Sequence, residues 1–217
     1  MTRMLVIGGS RGIGLEVCRA AAANGHFVRA MSRHGQLPVD ISKTCEVITG
    51  DACKSADIDR ALEEGIEVVV QALGVPQSLD FILKPVTLFS TATRVLLPAM
   101  QRAGIRKLVA ITGFGAGDSH DAINILQRFA FDAIFKNAYD DKSIQEGLII
   151  ESDLEWLIVR PGVLMNWPTR RNYKILTGPR EWRNGMVSRA DVADFIIKRI
   201  GADTLTREKP VIIRYPL

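Results

Sequence analysis

Short apolar runs alternate along the 217-residue chain with longer stretches in which apolar positions recur every three or four residues. The first pattern suits strands covered on both faces, and the second suits amphipathic helices. Residues 3–7 (RMLVI) predict a strand, and residues 12–24 a helix closed by Gly25 just past its last turn. Residues 26–31 (HFVRAM) and 46–49 (EVIT) predict the second and third strands, and a helix is expected near 55–64. The run 66–71 (IEVVVQ) is β-branched and continuous, as expected for a strand inside a parallel sheet. A long helix is predicted over 87–103 and a fifth strand over 106–112 (RKLVAIT). Helical pattern covers 122–152, with Asn137 as a candidate break. A sixth strand over 155–160 (EWLIVR) ends at Pro161-Gly162, and a helix around 189–201 and a strand over 210–215 (PVIIRY) close the chain.

This alternation predicts an α/β fold, a Rossmann-type doubly wound parallel sheet, in a single domain spanning 1–217. No internal repeat, low-complexity tract or linker interrupts it. The least regular stretch, 163–187, is expected to form the substrate side.

Composition narrows the class. With 47% apolar and 24% charged residues the chain can bury one substantial core. A net charge of +4 is mild and fits anionic ligands better than a dedicated nucleic-acid binder, whose basic residues should cluster on one face. The three cysteines (Cys18, Cys45, Cys53) form no CxxC pair, which points to a reducing cytoplasm rather than a disulfide framework. The three histidines are scattered, so no metal site is expected. No apolar run approaches the roughly 20 residues of a membrane span, and no secretory signal is expected before the glycine turn.

Candidate chemistry begins in that turn. Gly8, Gly9, Ser10, Arg11, Gly12, Ile13 and Gly14 lie where the first strand gives way to the first helix. An early glycine allows the tight turn, Gly12 lets the backbone approach a pyrophosphate, and Gly14 allows helix and strand to pack closely. The helix start then offers free N–H groups and a favourable dipole to phosphates. The bland alternative is a tight turn that holds nothing, but strand, helix and second strand all stand in the expected order. At the end of the second strand an NAD site would place an acid for the ribose 2′-hydroxyl. Here Ser32 and Arg33 stand there, followed by His34, with no acid before Asp40. A guanidinium suits a 2′-phosphate, and Arg11 could reach the same group, so NADP(H) is expected over NAD(H). Each arginine alone would read equally well as a solvated surface charge.

Taken together, the sequence resembles the short-chain dehydrogenase/reductase superfamily, and within it the atypical NAD(P)-binding branch of NmrA-like proteins and biliverdin- or flavin-reductase-like enzymes. The likeness runs through GGSRGIG (8–14), GDACKSADIDRAL (50–62), VVVQALG (68–74), LVAITGFGAG (108–117), DKSIQEGLIIESDLEWLIVRPG (141–162) and VSRADVADFI (187–196). The resemblance implies Asp51 and Ala52 at the adenine, Ala72, Leu73 and Gly74 along the ribose, and Pro161, Gly162 and Val163 by the nicotinamide. It also implies a Ser, a Tyr and a Lys for catalysis, with the Tyr four residues before the Lys.

The chain departs from that pattern. Lys142 matches the lysine, implying a ribose contact, but Ala138 stands where the tyrosine should be and Gly113 where the serine should be. Tyr139, three residues before Lys142, and Thr112, one place before the serine position, are the substitute candidates; Ser119 lies further along the loop. As bland alternatives, Tyr139 is a half-buried helix residue and Thr112 a strand end. Hydride transfer depends on proximity and orientation more than on a dedicated acid. The resulting expectation is an NADPH-dependent oxidoreductase acting on a small planar acceptor, anionic in character, such as a flavin, quinone or tetrapyrrole. A non-catalytic NADP(H) sensor of the NmrA type is the alternative, and a nucleotide-sugar epimerase or dehydratase suits the missing tyrosine least. The segment 166–185 mixes Trp167, Tyr173 and Trp182 with Arg170, Arg171, Arg180 and Arg183. It reads either as a lid stacking on that acceptor or as a solvated loop whose aromatics pack on the sheet edge.

Overall fold

In the computed structural model, which describes residues 1–75, 85–201 and 205–216, an eight-stranded sheet lies between two layers of helices. The elements run β1 (Arg3–Ile7), α1 (Gly12–Ala23), β2 (Phe27–Ser32), β3 (Glu46–Thr49), α2 (Ser55–Ala61), β4 (Val68–Gln71), α3 (Leu88–Arg102) and β5 (Lys107–Ile111). A 3₁₀ turn (Gly117–Ala122) then leads to α4 (Ile125–Ile150), β6 (Glu155–Pro161), β7 (Val163–Met165), β8 (Lys174–Leu176), β9 (Gly185–Ser188), α5 (Arg189–Ile200), β10 (Val211–Ile213) and β11 (Tyr215–Pro216). Among the described residues no helix is long and apolar enough to cross a membrane.

The strand order is β3-β2-β1-β4-β5-β6-β10-β8, and every neighbouring pair is parallel except β8 against β10. The continuous apolar runs have a simple cause. In β1, Met4 and Val6 enter the cluster under α1 and α5, while Leu5 and Ile7 enter the cluster on the opposite face with α2 and α3. Strands β5 and β6 divide in the same way, with Val109, Ile111, Leu157 and Val159 on the first face and Leu108, Ala110, Trp156 and Ile158 on the second. Each fully buried side chain of this kind contributes about 1.5–3 kcal/mol.

Most predicted elements lie within two or three residues of their expected bounds. Gly25 closes α1 with φ +74, and the His26 amide bonds back to the Ala21 carbonyl. Three expectations need correction. Helix α4 runs unbroken through Asn137, because packing outweighs a propensity deficit of about 0.7 kcal/mol. The last strand is split, since Arg214 leaves the ladder and sends its side chain inward, 4.0 Å from Asp191. The irregular stretch 163–187 carries three short strands: β8 edges the main sheet, while β7 and β9 join β11 in a small second sheet of order β11-β9-β7.

Candidate functional site

Six parallel strands deliver the candidate residues to one edge. Gly8, Arg33, Ala72, Thr112 and Gly162 each directly follow the last residue of a strand, and Asp51 follows β3 by two. Parallel strands end on the same side, so topology alone gathers these positions. Strands β1 and β4 are the neighbours at which the order reverses, the place where open α/β sheets form a crevice.

The glycine turn is built by close approach. Gly8 adopts φ +88, and a Cβ on it would lie 2.5 Å from the Ala72 carbonyl oxygen. A Cβ on Gly14 would collide with the Gly8 carbonyl, and one on Gly9 would lie 3.0 Å from both Ala30 Cβ and Cys18 Sγ. The amides of Gly8 and Gly9 donate to the Met31 carbonyl, pinning the turn to β2. Gly12 differs: its φ is +59 and a Cβ there would meet nothing within 4 Å. The open flank lies at the first turn of α1, where Arg11 provides no side-chain cap and no acid occupies the first turn. The helix N–H groups and dipole are therefore left for an anion. Ile13 is buried in the core behind the turn, and Ser10 is half-buried.

Beside the turn, Arg11 and Arg33 are exposed and form no ion pair with any described residue. The Ser32 hydroxyl accepts the Gly35 amide. Asp40 is committed to Arg19 at 2.8 Å, so the first acid after β2 is engaged elsewhere. Asp51 is fixed from both ends: its amide donates to Asp57 and its carboxylate accepts the Cys53 amide. Ala52 is buried beneath it, and the Ala72 amide bonds to the Ile7 carbonyl. Gly74 faces open space.

Across the crevice, Lys142 is buried over the Phe89 ring, and its Nζ donates to the carbonyls of Thr112 (2.8 Å) and Ile111 (3.3 Å). Burial lowers its pKa to about 8, against the opposing pull of Glu146 and Asp141. The Thr112 hydroxyl is turned into the protein, donating to Glu146 at 2.6 Å. Tyr139 is half-buried, and burial together with the Glu146 charge pushes its phenol up to about 12. Ala138 is buried, and Ser119 is spent inside its own loop, bonding Ala116 and Gly115. The Pro161 carbonyl accepts the Phe114 amide, the Gly162 amide donates to Ile212, and Val163 is exposed.

Sequence reasoning missed the polar network under this edge. Arg160 is fully buried, bonds Glu146 through Nε and Nη2, reaches Asp118 at 2.6 Å, and lies 4.9 Å from the centre of the Trp182 ring. Lys209 completes the chain at Asp118. The available signal was Arg160, a charge directly following the apolar run WLIV and preceding Pro161. Asp141 was also missed; its carboxylate accepts the Phe89 and Ser90 amides and so caps α3 from α4.

The segment 166–185 divides. Trp182 is buried and donates to the Leu176 carbonyl, and Tyr173 bonds Asp194 and packs edge-on against Phe195. Both therefore pack on the body. Trp167 lines an open pocket of about 460 Å³ with Glu16, Asn166, Pro168 and Arg189, its ring edge-on to Tyr215. The turn at 169–171 is held by Asp191, which accepts Thr169 Oγ1 and the amides of Arg170 and Arg171. Burial would raise the Asp191 pKa, but these bonds hold it below the ordinary carboxylate range. The Ser188 hydroxyl caps α5 by accepting the Asp191 amide.

A parallel sheet of this order, with a glycine turn opening α1 at the reversal point, defines a dinucleotide-binding protein of the Rossmann type. The NAD(P)H-binding family model matches residues 8–203, and the chain belongs to that family. The residues fit such a cofactor: Gly12 leaves room at a helix start without a side-chain cap, and Arg11 and Arg33, unpaired among the described residues and with no free acid directly after β2, suit NADP(H). ChuY, an anaerobilin reductase from Escherichia coli O157:H7, has a similar fold at TM-score 0.81 and 24% identity, over 98% of this chain and 97% of that one. A short-chain dehydrogenase/reductase from Veillonella parvula, solved with NADP, matches at TM-score 0.80 and 17% identity, over 98% and 94%. The photosystem II assembly factor Ycf39 of Synechocystis is 22% identical over 97% of this chain, which spans 62% of that longer protein.

Proposed function

We propose that the protein is an NADPH-dependent reductase that delivers hydride to a small planar acceptor of the flavin, quinone or linear-tetrapyrrole kind. One observation carries this reading. Among the described residues, a buried alanine, Ala138, stands four places before Lys142, and Tyr139, three places before it, packs its hydroxyl against Gly113, where burial and Glu146 push its phenol up. A carbonyl reductase needs a poised proton donor, whereas a conjugated acceptor can take its proton from solvent. The bound cofactor would supply the hydride. The first turn of α1 would hold its pyrophosphate, Arg11 and Arg33 its 2′-phosphate, and Asp51, Ala52 and Ala72–Gly74 its adenosine side. Lys142 would meet a ribose, and Pro161–Val163 would border the reacting ring. Residues 163–187, with Trp167 beside Arg189, would form the acceptor side. ChuY, described as an anaerobilin reductase, supports the tetrapyrrole member of this class.

The test is steady-state NADPH oxidation by the wild-type chain with a flavin, a quinone and biliverdin in turn. Turnover with at least one supports the reading. Tight NADPH binding with no turnover on any of them would favour a second one, a sensor whose cofactor sets its affinity for a protein partner. The likeness to an assembly factor, Ycf39, favours that second reading.

A further inference from the structure

The small second sheet turns an apolar row outward, beginning two residues past the end of β6. Val163 of β7 pairs with Met186 of β9, and Met186 pairs with Tyr215 of β11, so the three side chains share one face. The next pair, Leu164 and Val187, takes the opposite face: Val187 is fully buried and Leu164 packs against the same core cluster. Val163 is 46% and Tyr215 43% exposed, with Met186 half-buried between them. Trp167 extends the row, its ring edge-on to Tyr215 with 6.0 Å between centres. A contiguous apolar face of this kind marks a surface for a ligand.

The far end of the row is cationic. Trp167 lines the open pocket of about 460 Å³ together with Arg189, the first residue of α5. Arg189 Nη1 donates to Asn166 Oδ1 at 2.7 Å and to the Leu164 carbonyl at 3.3 Å. Both acceptors are neutral, and Arg189 forms no ion pair with any described residue. The acid lining the pocket, Glu16, is taken by Arg19 at 2.6 Å. Because Asn166 Oδ1 faces the guanidinium, the Asn166 NH2 group is a second donor, with no partner among the described residues. A guanidinium held by neutral oxygens keeps its charge for a planar carboxylate.

We propose that the acceptor carries a carboxylate, which pairs with Arg189 and Asn166 while the conjugated plane lies along Val163, Met186, Tyr215 and Trp167. This rests on the reading of the protein as a reductase of planar acceptors, and narrows it. Arg189 becomes the residue that selects an acid over a neutral ring. A linear tetrapyrrole, whose propionates project from the edge of its rings, fits this arrangement, and a neutral quinone does not.

The experiment compares biliverdin with its dimethyl ester, which keeps the conjugated system and caps both carboxylates. KM is read from NADPH oxidation. The dissociation constant is read from quenching of tryptophan fluorescence with NADP⁺ present, so binding is measured with or without turnover. The wild type should hold the ester roughly ten- to a hundredfold more weakly, the range of a lost hydrogen bond to a charged group, while kcat changes less. Arg189→Gln should bring biliverdin to the level of the ester. Asn166→Asp, at an exposed position, should do the same by pairing Arg189 internally, and serves if Arg189→Gln folds poorly. No binding of biliverdin, or a preference that survives both variants, would overturn the proposal. Equal KM and dissociation constants for the two ligands with turnover intact would overturn it and leave the reductase reading standing. Selective binding of biliverdin without turnover on any acceptor would remove the reductase reading and uphold the carboxylate contact.

Discussion

The hydroxyl of Tyr139 lies against the backbone of Gly113, so that a Cβ built on the glycine would stand 2.5 Å from Oη and 3.1 Å from Cζ. The phenol fills the space that a side chain at 113 would need. The two departures from the superfamily pattern, glycine for serine and a tyrosine displaced by one position, are therefore sterically coupled. Gly113→Ser should cost about 1–3 kcal/mol through overpacking. Pairing it with Tyr139→Ala should make the double variant more stable than the sum of the single effects predicts. Urea unfolding of all four proteins checks this; strictly additive effects would mean that the two sites do not compete for space.

The same geometry bears on the proton. A general acid contributes about 10²–10⁴-fold to turnover. With its phenol pushed up to about 12, Tyr139 is a poor candidate for that role. Tyr139→Phe should change turnover on a flavin or quinone by less than about tenfold. A fall of several hundredfold at unchanged NADPH affinity, measured by steady-state oxidation and fluorescence titration, would make the shifted tyrosine a true acid.

The fold was legible wherever one local pattern decided it. The buried runs in β1, β4, β5 and β6 read as interior strands because both their faces are covered, and Gly25 read as a stop because it takes the left-handed cap. The short strands β7, β8 and β9 were not legible, since each is fixed by a partner far away in sequence, as Leu176 is by Val211. At the site, the glycine turn announced itself because its glycines are demanded by contacts with Ala72 and Gly8. The orientation of Thr112 could not be foreseen. It depends on Glu146, 34 residues later, which in turn is held by Arg160.

In the proposed cofactor site, the preference for NADP(H) is assigned to Arg33. It is exposed and unpaired with any described residue, so replacing it should leave stability within about 0.5 kcal/mol. A hydrogen bond to a charged group contributes roughly 1.5–3 kcal/mol. Arg33→Asp should therefore weaken NADPH roughly ten- to a hundredfold, because a donor is lost and repulsion gained, while NADH binding holds or improves. Isothermal titration with both cofactors tests this, and equal wild-type affinities for the two would remove the basis for NADP(H) preference.

The buried ion pair is a stability site. Arg160 is fully buried and the Glu146 side chain is 2% exposed, so removing either partner strands a charge away from water. Glu146→Ala should cost about 3–5 kcal/mol. The double variant Glu146→Met/Arg160→Leu should recover most of that loss, because no unpaired charge remains. A double variant as unstable as the sum of the singles, in denaturant unfolding, would locate the effect in packing alone.

Lys142 gives the pH prediction. Burial holds its ammonium at about 8, well under the ordinary 10.5. As pH rises through about 8 the positive charge at the crevice is lost, and attraction for an anionic cofactor falls with it. NADPH affinity should weaken above that pH in the wild type. Lys142→Arg, which stays charged throughout, should abolish the break, and Lys142→Ala should bind more weakly at every pH without one. Stability moves in the opposite direction. Between about 8 and 10.5 the unfolded chain carries the proton on this residue and the folded chain does not, so this group's contribution to stability rises with pH across that window. Weaker binding above pH 8 therefore does not follow from unfolding by this group. An NADPH dissociation constant that stays flat through that window would mean that Lys142 makes no charged contact with the cofactor.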